Sequence, residues 1–126
     1  MKLRFDPRTR LIVLRTTVEG PAGSGSCLMG LDTGTTWTML KTSILKEIGH
    51  DPEVGQRVQI VTVSGIEFTS RVRISLLEAA GLERRNFPVL CKSLPPAARI
   101  DGLLGLDFLR GRKLTLDFGI GEMILE

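Results

Sequence analysis

One acid stands out by its surroundings. Asp32 lies in Gly-Leu-Asp-Thr-Gly-Thr-Thr, residues 30–36, with apolar Leu28, Met29 and Leu31 before it and a Gly-Thr-Thr segment behind. Asp-Thr-Gly after a strand makes an acceptable turn, because Asp bonds its own backbone and Gly tolerates positive φ. The neighbouring apolar residues, however, would carry Asp32 to the inner end of a buried strand. A carboxylate delivered there needs a partner, a metal or a shared proton.

A phosphate site is one way to meet that need. The stretch is similar to the first phosphate-contacting turn of the actin, sugar-kinase and chaperone ATPases. Those folds close two lobes around a nucleotide, and 126 residues are too few for that. Acid-anhydride hydrolases want a second Asp two positions on, where this chain has Gly34. The other way is a pair of carboxylates sharing one proton, so that one activates water while the other donates to a peptide carbonyl. Asp-Thr-Gly occurs once in the chain, and Asp101, Asp107 and Asp117 lie outside any such turn. A working pair therefore takes two chains about a two-fold axis. Asp101 reads as a capping residue, and Asp107 as a solvated acid or an arginine partner.

The elements that must position Asp32 are mostly strands. Residues 10–20 are rich in β-branched side chains and stop at Gly20-Pro21, and residues 24–32 follow a Gly/Ser turn. In residues 66–74, Ile66, Phe68, Ser70, Val72 and Ile74 share one face and Glu67, Thr69, Arg71 and Arg73 the other, which predicts a half-buried strand. It pairs with residues 56–63 through a two-residue turn at Ser64-Gly65. Further strands are expected at 87–93, 113–118 and 122–126. Helix signals are brief: Thr42 or Ser43 as an N-cap with Gly49 as the stop, and residues 103–110 closed by Gly111. Many strands and one or two short helices predict an all-β, small closed barrel-like domain spanning 1–126. Residues 30–34 and 105–109 share Gly-Leu-Asp, a faint internal echo.

A later segment decides among the readings of Asp32. Ile100 to Leu109, Ile-Asp-Gly-Leu-Leu-Gly-Leu-Asp-Phe-Leu, followed by the two final strands, resembles the C-terminal half of retroviral-type (retropepsin-like) aspartic proteases. The likeness is to cellular and bacterial members and covers residues 10–126. It implies an acid-protease fold with one lobe per chain, acting as a homodimer on an extended peptide or protein substrate without metal or other cofactor. By the same resemblance Asp32 is the catalytic aspartate, and the Thr33 hydroxyl bonds across the dimer. Gly34 lets backbone approach the acids and the substrate, and a Thr35 hydroxyl donates to the carboxylate, giving a more acidic working range. Leu103, Leu104 and Gly105 form the loop that supports the catalytic turn. Thr36 stands where viral enzymes hold substrate backbone, and Ser64-Gly65 is the flap tip. The alternative is the same fold without turnover, as a dimerisation or peptide-binding module.

The remaining residues narrow the classes. Net charge is +3, with the 17 basic residues spread along the chain. No aromatic-interleaved basic cluster suggests nucleic-acid binding, and no apolar run reaches the ~18–20 residues of a membrane span. The N-terminal ten residues carry no apolar leader block, so a cytoplasmic protein is expected. Cys27 and Cys91 fit neither a disulfide framework nor a zinc site and read as buried thiols. Trp37 reads as core, and His50 as solvated.

Overall fold

The computed structural model describes residues 1–126. Six strands close into a barrel in the order β2 (Val13–Gly20), β3 (Gly23–Leu31), β8 (Gly102–Leu104), β4 (Met39–Lys41), β7 (Leu82–Lys92) and β6 (Gly65–Ala79), with β2 returning to pair β6. Closure pairs these six strands on both sides, so the main sheet's free edge lies on an added seventh strand. β5 (Gln56–Thr62) extends it outward as one arm of a hairpin with β6. A second sheet has three strands, ordered β1 (Lys2–Arg4), β10 (Glu122–Leu125) and β9 (Leu114–Asp117). Two short helices complete the fold, α1 (Thr42–Glu47) and α2 (Leu106–Leu109). No helix is long and apolar enough to cross a membrane.

The barrel interior holds Val18, Met29, Leu40, Ile74, Leu77, Leu104 and Phe108, all fully buried. Alternation along the strands puts them there: β2 buries Leu14, Thr16 and Val18 while Val13 and Arg15 face out. α1 seals one side with Leu45. It starts at Thr42 after Lys41, with no side-chain cap from Thr42 or Ser43. Cys27 and Cys91 are buried free thiols.

Several elements differ from the sequence pattern. β1, β4 and β8 are three residues each, too short for periodicity to register. Leu103 and Leu104 lie in β8, so the second helix begins only at Leu106. Thr62 pairs with Gly65, which makes Val63 and Ser64 the turn and Gly65 the first residue of β6. Gly65 has φ +124°, which an L side chain adopts only under strain. Ser70, Val72 and Ile74 are buried as alternation predicts, yet Ile66 and Phe68 are 61% and 63% exposed. Beyond Ser70 the hairpin extends past the barrel, which leaves that face largely open.

Candidate active site

Asp32 directly follows β3, half-buried, where the strand leaves the barrel. What fixes it is the position of β8, inserted between β3 and β4. Met29, Gly30 and Leu31 run parallel to Gly102, Leu103 and Leu104, and β4 runs antiparallel on the other side. The Asp32 N–H donates to Leu104 O at 2.9 Å, so the apolar segment holds the Asp32 turn by its backbone. Gly102 and Gly105 are required there. A Cβ at Gly102 would sit 2.2 Å from Met39 O, and one at Gly105 2.8 Å from the Trp37 carbonyl carbon.

The turn itself is compact. Gly34 N–H donates to Asp32 Oδ1 at 2.9 Å, a bond that helps orient the carboxylate. No cation of the chain pairs with Asp32, and its other oxygen has no protein donor. Thr33 is exposed and its hydroxyl makes no bond within the chain. The Thr35 hydroxyl donates to Trp37 O at 3.4 Å. That two-residue closure turns it away from Asp32, so the expected hydroxyl donation to the carboxylate is not made.

Behind the turn, α2 grips the next four residues. Leu106 N–H donates to Thr35 O and Asp107 N–H to Thr36 O. Asp107 Oδ1 accepts from Thr38 N–H at 2.9 Å, Thr38 Oγ1 at 2.7 Å and Phe108 N–H at 2.8 Å. Thr38 Oγ1 in turn accepts from Gly105 N–H at 3.1 Å. Thr38 is fully buried, and Asp107 Oδ2 is buried without a partner. Asp107 is thus neither solvated nor bonded to an arginine. The sequence offered one sign of this: an acid flanked by apolar Leu106 and Phe108, directly after the supporting loop.

A hollow of about 280 Å³ opens beside the turn, lined by Gly34, Thr36, Trp37, Met39, Ile60 and Val61 among others. Trp37 is 37% exposed on its rim rather than in the core. The hairpin roofs it with the face that buries Ile60. Glu67, opposite Ile60, is tied to Lys92 Nζ at 3.3 Å. Ser64 and Gly65 stand at the hairpin tip, while Trp37, Met39 and Ile60 supply the apolar wall that the sequence did not single out. On the opposite side Asp101 accepts from Leu28 N–H at 2.9 Å and pairs with Lys41 at 3.8 Å, fastening the loop into β8. His50 is half-buried, with Nε2 enclosed and unbonded, rather than solvated.

The profile of a family described as "Aspartyl protease" matches residues 15–108. No curated protein matches the chain. Among solved structures, a retropepsin-like aspartic protease from Rickettsia conorii superposes with a TM-score of 0.70 at 16% identity, over 99% of this chain and 88% of that one.

Proposed function

The chain belongs to the aspartyl protease family, and we propose that it is an endopeptidase whose active unit is a homodimer, with one Asp32 from each subunit. The observation that carries this reading is the state of Asp32. Its half-buried carboxylate is clamped through Oδ1, free of any cation, in a turn whose Gly34 lines a hollow under a hairpin. One such carboxylate lacks the partner that peptide hydrolysis needs, and the exposed Thr33 beside it bonds nothing in its own chain.

Paired across a two-fold axis, the two Asp32 groups share one proton. The ionised carboxylate takes a proton from a water held between them, and that water attacks the peptide carbonyl. The protonated carboxyl donates to the carbonyl oxygen, and the intermediate collapses as the leaving nitrogen is protonated. The peptide lies extended under the hairpin, adding strand-like backbone bonds near Gly34, Thr36 and the Ser64-Gly65 tip. Trp37, Met39 and Ile60 favour a large apolar side chain next to the cut.

The test is cleavage of a mixed peptide library from about pH 3 to about pH 8, with and without a transition-state-mimicking inhibitor. Asp32→Asn should abolish inhibitor-sensitive cleavage while the dimer persists in sedimentation. Cleavage by Asp32→Asn at the native rate removes Asp32 from the chemistry.

A further inference from the structure

A larger hollow opens where the two separate sheets meet, and none of its lining residues belongs to the Asp32 turn. Its volume is about 360 Å³, inside the range of roughly 300–1,000 Å³ that small-molecule sites occupy. β1 and β10 line it from one sheet, β2 and the end of β6 from the other. Its depth is apolar, since Ile12, Leu14, Ala80 and Met123 are all buried there. At its mouth Met1 and Val13 are 62% and 41% exposed, more apolar surface than the fold requires there. β2 is paired on both sides, with β3 and with β6, so that wall offers an incoming molecule side chains and no strand edge.

The charges at this hollow are unbalanced. Arg4 reaches it from β1 and Arg15 from β2, both exposed, and neither takes part in any of the chain's ion pairs. The acid among the lining residues is Glu78, and its Oε1 accepts from Gly81 N–H at 3.1 Å. Two free guanidiniums therefore face one carboxylate that is already engaged. A guanidinium grips a planar two-oxygen anion with two parallel N–H bonds, and its aliphatic stem extends an apolar wall while the head stays in water. An apolar depth beneath two such heads is complementary to an aliphatic tail ending in a carboxylate.

We propose that the cleft between the sheets is a second binding site, which takes one free long-chain carboxylate. The tail lies among Leu14, Ala80 and Met123, and the head sits at Arg4 and Arg15. Met1 closes one side where Gly81 leaves room; a Cβ at Gly81 would come within 3.3 Å of the Met1 side chain. The flexible thioether of Met1 adjusts to tails of different length. Neither peptide cleavage nor pairing of two copies enters this argument.

Equilibrium dialysis of the full chain against dodecanoate, below its micelle concentration, tests the site. Saturable binding of one dodecanoate per chain is expected. Methyl dodecanoate keeps the tail and lacks the charge, and should bind about tenfold more weakly. Replacing both arginines, Arg4→Gln with Arg15→Gln, should weaken dodecanoate by a similar factor of about ten. Val13→Trp, a surface change that lays an indole over the hollow, should abolish binding at an unchanged urea midpoint; if it disturbs folding, the arginine pair decides alone. Asp32→Asn and a transition-state-mimicking inhibitor should leave dodecanoate binding unaltered. Absence of saturable binding, equal affinity for the methyl ester, or full affinity in the arginine variant overturns the proposal. Displacement of dodecanoate by the inhibitor also overturns it, because the ligand then lies under the hairpin. So does cosedimentation with phosphatidylglycerol vesicles in place of binding to free dodecanoate, which assigns the arginines to a lipid headgroup. Each of these outcomes leaves the proteolytic reading where it stands.

Discussion

Asp107→Ala should be among the most damaging single substitutions outside Asp32, although Asp107 touches no substrate. Three donors converge on Oδ1, and two of them, Thr38 N–H and Thr38 Oγ1, belong to a fully buried residue. Phe108 N–H keeps a second acceptor in Gly105 O at 3.2 Å, so its loss is cheap. The two Thr38 donors have no such reserve. An orphaned buried donor costs about 1–3 kcal/mol, with bonds to a charged group at the upper end. Together they come to about 3–5 kcal/mol, a large part of the roughly 5–15 kcal/mol that holds a typical domain folded.

Asp107→Asn separates loss of the acceptor from loss of the charge. The amide oxygen can still receive both Thr38 bonds, weakened to neutral strength, at a cost of about 1 kcal/mol. Urea denaturation measures the difference. With a slope near 2 kcal/mol per molar, Ala should lower the midpoint by about 1.5–2.5 M and Asn by about 0.5 M. Thr38→Val removes the hydroxyl from the same network, so its effect should be strongly sub-additive with Asp107→Ala. In peptide cleavage, Ala should lower kcat more than it raises KM, and Asn should recover most of the loss. Equal midpoints for Ala and Asn, or additive effects with Thr38→Val, would refute the reasoning.

Two further outcomes follow from close packing and buried ionisation. Gly105→Ala forces a Cβ against the Thr35 and Trp37 backbone, which cannot swing aside as a side chain would. A loss of about 1–3 kcal/mol is expected, and unchanged stability in urea would contradict the geometry. Burial, reinforced by the nearby Asp101 charge, pushes the Cys27 thiol from 9.0 up to about 12, and burial also raises Cys91. Above about pH 9 the unfolded chain sheds the Cys27 proton that the native chain keeps, so stability is full below that pH. It should fall by about 1.4 kcal/mol per unit until the native thiol ionises. Comparing urea midpoints near pH 8.5 and 10.5, Cys27→Ala should lose about 2 kcal/mol less than the native chain. Identical alkaline losses in the two proteins would sink this assignment.

The geometry of the turn was legible because it is local. Asp32 and Gly34 are neighbours in sequence, and the barrel sets the Leu103-Leu104-Gly105 segment beside them through the Asp32 N–H bond to Leu104 O. The three-residue strands left no trace, since they exist only because longer neighbours supply their hydrogen bonds. Asp107 escaped for a different reason. Charge and a helical position argue for solvent, and only the buried Thr38, 69 residues away in sequence, makes the carboxylate an internal acceptor.

The exposed residues misjudged from the sequence share one cause. Ile66, Phe68 and Trp37 are apolar yet exposed, and all lie on the hairpin or beside the hollow below it. Their apolar character is what a core would demand, but one chain provides no atoms to cover them. Phe118 and Ile120, just past β9, are apolar and exposed as well. Apolar patches of this kind on a folded chain mark surfaces that meet something else. Here they flank the turn that carries Asp32, whose carboxylate accepts from Gly34 N–H and pairs with no cation. Hydrophobic patterning is thus consistent with the dimeric reading proposed from Asp32. In the proposed dimer a second subunit and a peptide under the hairpin would supply the missing surfaces, and cleavage by Asp32→Asn tests that reading.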